Sequence, residues 1–245
     1  MIMLNDFFTD DSLNIFTDAS MNSYGTCGCI GVCAVKGKID KRFPLLNTEF
    51  HTLVINKCTN NIAEGRAIIN GIYLALRYRN NYKTIRILSD SMLNIVGIRD
   101  RILKWRISKK KDKDGFSTFI GSAGQIMNQD IFLEALYTIL QYDLSIEFLH
   151  QKGHTSFSDP DSLIKMGESF KKINNISSDT ELDIELLRSL AFYNNYVDRN
   201  SRDILYSVDM SQQNYVFPFE YKLFDGYDKE AYRRLVNPDS IFTKN

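Results

Sequence analysis

Two aspartates lie where a carboxylate could take part in chemistry. Asp18 and Asp90 each follow a short apolar run, at residues 13–16 and 85–88, of the kind that forms a buried strand. Ligand sites on mixed α/β sheets lie at the carboxyl ends of strands. Both aspartates are therefore candidate site residues.

Two further carboxylates fall on predicted helices. Glu64 continues the apolar stripe that Ala67 and Ile68 begin one turn later. A carboxylate on a helix face directed at a sheet is destabilising unless it is paired with a cation or bound to a metal. Asp198 lies one turn after Asn194 in the last clear helical pattern. These four carboxylates could thus form one acidic site.

Each carboxylate also has a purely structural alternative. Asp18 and Asp90 could be turn residues at strand ends, and Glu64 could form an ion pair with a lysine or arginine. Asp198 could lie on a solvated helix face. Taken singly, the residues leave these alternatives open.

The order of hydrophobic patterns predicts the scaffold that would position these groups. Strands are expected near residues 13–18, 26–35, 50–58, 85–88 and 144–149, and helices near residues 60–77, 93–105 and 129–142, with a last helix ending near 205. Three consecutive strands followed by alternating helices and strands indicate an α/β fold. We expect a five-stranded mixed sheet, three antiparallel strands and then parallel strands, flanked by helices.

Composition limits the protein class only loosely. The chain has 245 residues, of which 44% are hydrophobic and 24% charged, which suits one large domain or one domain with additions. The formal net charge is +0, so global charge argues neither for nor against nucleic acid.

The cysteines and the first residues bear on location. No apolar run is long enough to span a membrane, and residues 1–11 lack the basic start of a signal peptide. Cys27, Cys29, Cys33 and Cys58 form no C-x-x-C pair, and the first three share the parity of one strand face, which disfavours a zinc site. We expect reduced cysteines in an intracellular, cytoplasmic protein.

Several segments, in their order along the chain, resemble motifs of the type I ribonuclease H family. They are Thr17-Asp18-Ala19-Ser20 for a TDGS strand, Thr59-Asn60-Asn61-Ile62-Ala63-Glu64 for a T-N-N-x-x-E helix start, Leu88-Ser89-Asp90-Ser91 for a T-D-S strand end, Asn128-Gln129-Asp130-Ile131 for a substrate-contacting segment, Lys152-Gly153-His154 for a K-G-H loop, and Asn194 to Asp198 for an N-x-x-x-D helix. The resemblance covers about residues 13–205. It departs at Ala19, where the family has glycine, and in the long segment between His154 and Asn194.

The resemblance implies a ribonuclease H-like fold and an endonuclease that hydrolyses the RNA strand of RNA–DNA hybrids. It implies that Asp18, Glu64, Asp90 and Asp198 bind two Mg²⁺ or Mn²⁺ ions, and that His154 helps product leave or moves a proton. The substrate contacts that we expect are Asn22, Thr59, Asn60, Asn128, Asn194, Trp105, Lys109 and Lys110. Two alternatives stay open: a nuclease of the same fold acting on double-stranded RNA or branched DNA, and a catalytically silent module that binds nucleic acid.

A basic segment follows the fourth strand and surrounds a single tryptophan, Trp105. It contains Arg99, Arg101, Lys104, Arg106, Lys109, Lys110, Lys111 and Lys113. Phosphate binding with one stacking or wedging ring would explain this cluster. The alternative is a solvated helix end whose cations complement the helix dipole.

Two segments extend the family pattern. Residues 155–190 carry two helical patterns and are expected to form a hairpin that walls or caps the substrate groove, with binding of a protein partner as the alternative. Asp159-Pro160 and Ser178-Asp179-Thr180-Glu181 are expected to begin its two helices. Residues 207–245 form an aromatic-rich extension that we expect to pack rather than to stack on bases. The division predicted is a catalytic domain at 1–206 and this extension.

Overall fold

The computed structural model describes residues 7–25, 27–111, 117–181, 183–207 and 228–236. The strands are β1 (Ser12–Met21), β2 (Cys27–Lys36), β3 (Thr48–Asn56), β4 (Thr84–Ser89), β5 (Arg106–Lys111), β6 (Ser117–Gly121), β7 (Gly124–Gln125) and β8 (Glu147–His150). The α-helices are α1 (Asn60–Tyr78), α2 (Met92–Val96), α3 (Gln129–Gln141), α4 (Pro160–Ile173), α5 (Ile184–Ser207) and α6 (Lys229–Val236).

A five-stranded sheet in the order β3-β2-β1-β4-β8 forms the centre of the protein. β1, β2 and β3 pair antiparallel, whereas β4 pairs parallel with both β1 and β8. This confirms the predicted mixed sheet. The parallel ladders end at the pairs Thr17–Ser89 and Ser89–His150, so the carboxyl ends of three strands meet at one edge.

Apolar side chains alternate between the two faces of the sheet. Ile15 and Ile87 face a core formed with α1, α3 and α6. Their neighbours Phe16 and Leu88 face a second core formed with α4 and α5. Because successive side chains of a strand point to opposite faces, both faces need a helical layer.

The segment after β4 differs from the single helix that was expected. α2 is followed by one turn of π-helix at Gly97–Arg101 and one turn of 3₁₀-helix at Ile102–Lys104. The chain then enters β5, which pairs with β6, and β6 pairs with β7 to complete a separate three-stranded sheet. Arg99, Arg101 and Lys104 of the basic segment therefore lie on the helical turns, whereas its residues 106–111 lie on a strand of a hairpin.

The predicted hairpin of residues 155–190 exists, but it forms part of the core. Asp159 caps α4 through the amide of Asp161, with Pro160 at the first turn, as expected. The second helix is α5, which runs without a break to Ser207. It begins after Asp183, whose carboxylate accepts from the amide of Glu185, and not at the predicted Ser178.

The position of α4 corrects the expectation of a groove lid. Leu163, Met166 and Phe170 are at most 1% exposed and pack in the same core as Phe16 and Leu88 of the sheet. The inserted helix therefore covers a sheet face together with α5. A helix that packs against the sheet in this way is not free to move away from it and open over a substrate.

The described part of the C-terminal extension also packs. Tyr232 and Val236 of α6 are buried in the core shared with α1 and α3. The Tyr232 hydroxyl donates to the carbonyl of Ile98, and the amide of Ile146 donates to the carbonyl of Leu235. Packing is thus confirmed for α6, while the other aromatic residues of the tail, between 208 and 227 and at 242, lie outside the described residues.

Candidate active site

The four predicted carboxylates lie close enough to one another to interact at the carboxyl edge of the sheet. Asp18 is influenced by the charges of Asp90, Asp198 and Glu64, and Asp90 is influenced by those of Glu64 and Asp198. The fold therefore brings together side chains from β1, α1, the end of β4 and α5.

Asp18 is the most buried member of this cluster. It lies inside β1, which continues to Met21. The last residue of β1 that pairs with β4 is Thr17, so Asp18 lies one residue beyond this pairing. Its side chain is 6% exposed, and its Oδ1 accepts from the amide of Ala19 at 2.7 Å. Burial, and then the negative charge of Asp90, raise the pKa of Asp18 well above its usual value.

Glu64 reaches the cluster from the first turns of α1. Thr59 caps this helix, its hydroxyl accepting from the amide of Ile62. One carboxylate oxygen of Glu64 accepts from the Ser91 hydroxyl at 2.6 Å, and the other accepts from the Asn60 amide. The local capping sequence and Ser91 therefore orient Glu64 toward the end of β4.

Asp90 follows β4 directly, as predicted. A side chain at Gly153 would begin 2.1 Å from Oδ2 of Asp90, so only glycine allows the loop after β8 to approach this carboxylate. Burial, followed by the charge of Glu64, raises the pKa of Asp90 from 3.8 to about 6, against the opposite effect of His154.

Asp198 lies on α5, and the close packing of this helix on β2 places the carboxylate at the edge of the sheet. A Cβ atom at Gly31 would lie 2.1 Å from the Ser201 hydroxyl oxygen, so this glycine sets the approach of the helix. Gly31 is also the antiparallel partner of Asp18. Nη2 of Arg202 donates to both carboxylate oxygens of Asp198, at 2.8 and 2.7 Å.

His154 stands at the rim of the cluster. Its side chain is 76% exposed, and its Nδ1 lies 3.7 Å from Oδ2 of Asp198. Its φ of 51° is left-handed, which turns the loop just after Gly153. An imidazole ring therefore lies at the open side of the cluster, beside the Asp198 carboxylate.

The carboxylates are held by protein groups in this conformation. Among the described residues, no group of three or more histidine, cysteine, aspartate or glutamate side chains is already arranged to hold a metal ion. Glu64 is engaged by Ser91 and Asn60, and Asp198 by Arg202.

Most of the polar residues predicted to contact substrate are accessible. Thr59 and Asn60 are exposed, and Asn22 and Asn128 are half-buried, Asn22 next to the β1–β2 turn and Asn128 at the start of α3 with a left-handed φ of 52°. Asn194 is only 3% exposed, so its assignment as a substrate contact is wrong.

The structure also corrects the role expected for Trp105. Its side chain is 8% exposed and packs against Phe119 and Phe132, with ring centroids 5.5 and 4.9 Å away. A ring held in the core in this way cannot stack on or wedge between bases. The side chains of Lys109 and Lys110 lie outside what the structure describes, so their phosphate contacts stay a prediction.

Several residues of this edge were not predicted as site residues, although Ser20 and Ser91 lie within the quoted motifs. Ser20 donates its hydroxyl to the backbone carbonyl of Asp198 at 3.3 Å, and Ser91 and Arg202 hold carboxylates. Arg202 could have been found, since it lies four residues after Asp198 on the same helix. No sequence signal connects Ser20 with Asp198, 178 residues later.

The acidic cluster should destabilise the folded protein at neutral pH when no metal is present. The raised pKa of Asp90, about 6 against 3.8, means that the folded state holds this proton more tightly than the unfolded chain. Stability is therefore lost as the pH rises from about 4 through 6, because the unfolded chain ionises first. In EDTA we expect Asp90→Asn to be more stable than wild type by roughly 1–2 kcal/mol at pH 8 and by much less at pH 4.

Urea unfolding at the two pH values measures this difference. Asp203→Asn serves as the control, because this aspartate is 69% exposed on α5 and should change stability little at either pH. Equal stability of Asp90→Asn and wild type at pH 8 would contradict the proposed repulsion.

The fold and the acidic edge together define an endoribonuclease of the RNase H-like class. The family model for RNase H matches residues 10–167, more than half of the chain, and the chain belongs to this family. No curated protein matches. No helix among the described residues is long and apolar enough to cross a membrane.

Solved structures with a similar fold include several ribonucleases H1. LC11-RNase H1, in complex with an RNA/DNA hybrid, is 16% identical, with 65% of this chain and 97% of that chain covered and a TM-score of 0.40. RNase H1 from the halophilic archaeon Halobacterium salinarum is 17% identical, with coverages of 58% and 86% and a TM-score of 0.37. The N-terminal RNase H domain of rv2228c from Mycobacterium tuberculosis is 16% identical, with coverages of 64% and 97% and a TM-score of 0.40.

Proposed function

We propose that this protein hydrolyses the RNA strand of RNA–DNA hybrids with two Mg²⁺ ions, for which Mn²⁺ can substitute, at Asp18, Glu64, Asp90 and Asp198. The observation that carries the proposal is the environment of Asp18. This carboxylate is 6% exposed, and the strongest charges acting on it come from three other carboxylates. Such a cluster is stable in its ionised form when cations lie between its members.

The donor set fits a hard divalent cation. Mg²⁺ prefers carboxylate oxygens and accepts few protein ligands while keeping water and phosphate oxygens. Ions held by these carboxylates would supply activation of a water and charge stabilisation for the oxygens of a phosphodiester. Metal binding would compete with the Asn60 amide for Glu64 and with Arg202 for Asp198.

The residues of the chain would then have separate roles. The four carboxylates would hold the ions. The bound cations would remove the repulsion between these carboxylates and the phosphodiester. His154, exposed beside Asp198, would move a proton or help product leave. The close approach of Gly153 keeps the loop against Asp90 and leaves room for no other side chain there.

Recognition of the hybrid would use polar groups around this edge. Asn22, Thr59, Asn60 and Asn128 are proposed to contact the sugar–phosphate backbone. RNA is distinguished from DNA by its 2′-hydroxyls, which a wide and shallow minor groove presents. Lys109 and Lys110 on β5 are proposed to bind phosphates, which positions the duplex without reading its sequence. Cytoplasmic location, with the four free cysteines reduced, remains part of this proposal.

A cleavage assay on matched substrates tests the proposal. Labelled RNA–DNA hybrid, double-stranded RNA, single-stranded RNA, duplex DNA and branched DNA of one sequence would be incubated with protein in Mg²⁺, in Mn²⁺ and in EDTA. We expect internal cuts in the RNA strand of the hybrid in both metals and none in EDTA. Cleavage of double-stranded RNA or branched DNA in preference to hybrid would replace the substrate assignment. Binding without any cut in Mn²⁺ would instead identify a silent module.

A further inference from the structure

The end of β8 is completed by a side chain from the inserted segment. Among the described residues β8 is the edge strand of the central sheet, so no described strand pairs with one side of its backbone. The amide of Asn174 fills this place at His150, where Oδ1 accepts from the backbone N–H at 2.9 Å and Nδ2 donates to the backbone carbonyl at 2.8 Å. These two hydrogen bonds replace those that a further strand would make, so the backbone N–H and carbonyl of His150 are both paired at this edge.

Asn174 is itself held at the end of α4. Nη1 of Arg99 donates to the Asn174 oxygen at 2.9 Å and to the carbonyl of Phe148 at 3.3 Å, and Nη2 donates to the carbonyl of Ile173 at 3.1 Å. Arg99 and Asn174 are 7% and 9% exposed. Hydrogen bonds in such a shielded place are stronger than in water and keep their geometry.

The ring of His150 continues this chain to the acidic cluster. Its Nε2–H donates to the backbone carbonyl of Asp90 at 3.1 Å, and the ring is 6% exposed. The same carbonyl accepts from the amide of Met92, at the start of α2. Asp90 is therefore held through its own backbone carbonyl.

We infer that His150 and Asn174 are positioning residues for Asp90, and that the inserted segment acts on catalysis through them. The Arg99 side chain holds the Asn174 amide, this amide holds the backbone of His150, and the His150 ring holds the backbone carbonyl of Asp90. Loss of the His150 donor would free the turn that carries Asp90 without removing any carboxylate. This inference rests on the proposed function, because it assumes that Asp90 takes part in metal binding and hydrolysis.

Two replacements of His150 separate the donor from the packing of the ring. His150→Phe keeps an aromatic ring but has no Nε2–H, whereas His150→Gln can place an amide nitrogen near the same point. Partners of metal ligands typically change affinity or activity by about 10–100-fold. We expect His150→Phe to lower kcat about tenfold, with KM for hybrid within about twofold, and to raise the Mg²⁺ concentration for half-maximal rate about tenfold. His150→Gln should recover most of both losses.

Tyr232→Phe is the matched control, since it also removes one buried side-chain donor to a backbone carbonyl, at 3.0 Å from Ile98, but in the opposite core. Its kcat and Mg²⁺ dependence should equal those of wild type. A second measurement needs no turnover: the rise in Tm on adding Mg²⁺ should shrink in His150→Phe and not in Tyr232→Phe. If His150→Phe does not fold, Asn174→Ala takes its place in both measurements, with the same direction expected.

The outcomes separate the inference from the proposed function. A wild-type protein that cuts no hybrid in Mg²⁺ or Mn²⁺ would overturn the function, and the Tm comparison would still decide the positioning role. Wild-type kcat and Mg²⁺ dependence in His150→Phe would overturn the inference alone. Equal losses in His150→Phe and His150→Gln would also overturn it, because they would assign the effect to ring packing.

Discussion

Asp18→Asn is expected to lower the rate of hybrid hydrolysis by at least about 100-fold, or roughly 3 kcal/mol in the barrier. The substitution removes the charge of the most buried carboxylate of the cluster, which is 6% exposed. Metal ions supply several kcal/mol of charge stabilisation in phosphodiester hydrolysis, and a missing ligand charge forfeits much of it. The fold should be kept, because an asparagine oxygen can still accept from the amide of Ala19.

Single-turnover cleavage of labelled hybrid at saturating Mg²⁺ measures this loss, and circular dichroism verifies the fold. Asp203→Asn is the matched control, because it makes the same chemical change at an exposed position of α5. It should retain wild-type rates within about twofold. A folded Asp18→Asn protein with near wild-type turnover would show that hydrolysis does not depend on this cluster.

The central sheet could be predicted because its strands are mostly apolar and clear helical patterns follow the third and fourth of them. Asp90 was placed correctly at a strand end, since three of the four residues at 85–88 are apolar and Ser89-Asp90 is polar. The prediction for Asp18 was less accurate, because this residue lies inside β1 and not at its end. β1 continues to Met21 because β2 pairs with it past Asp18, and only the parallel partner β4 stops at Thr17. Strand length here depends on a partner that the local sequence does not reveal.

The basic segment shows where local reasoning failed. A tryptophan among lysines and arginines suggests a stacking ring, but Trp105 is buried by Phe119 and Phe132, which follow it by 14 and 27 positions in the sequence. The strand pairing of β5 with β6 is likewise a contact between separate segments. Composition predicted the charge of this region correctly, whereas its shape depends on tertiary contacts.

The inserted segment was predicted well as structure, whereas its role beside the substrate groove stays a prediction. Its apolar stripe at Leu163, Met166 and Phe170 identified a helix. An apolar stripe along one face of a helix indicates that this face is buried. The sequence could not say whether that face lies against the sheet or over a groove. The answer depends on Phe16, Leu88 and Leu149, whose apolar side chains form the sheet face that packs against α4 and α5.

Phe170→Ala is expected to destabilise the protein by about 3–5 kcal/mol. The ring is 1% exposed and meets Phe7 edge-on, with centroids 6.1 Å apart, in the core under α4 and α5. Natural domains are stable by only about 5–15 kcal/mol, so this one cavity would remove a large share. Urea unfolding monitored by circular dichroism measures the free energy of unfolding.

Ile164→Ala on the same helix is the control, because this side chain is 48% exposed and its loss should change stability by no more than about 0.5 kcal/mol. The contrast between the two variants distinguishes a core layer from a mobile cover over the substrate. A cover would tolerate both truncations in the absence of hybrid, since its apolar face would lie against substrate and not against the sheet. Comparable stability of Phe170→Ala and wild type would therefore restore the lid, and replacement of residues 156–183 by a short Gly/Ser linker would then leave a folded nuclease. If α4 is a core layer, the same replacement exposes Phe16, Leu88 and Leu149 and prevents folding.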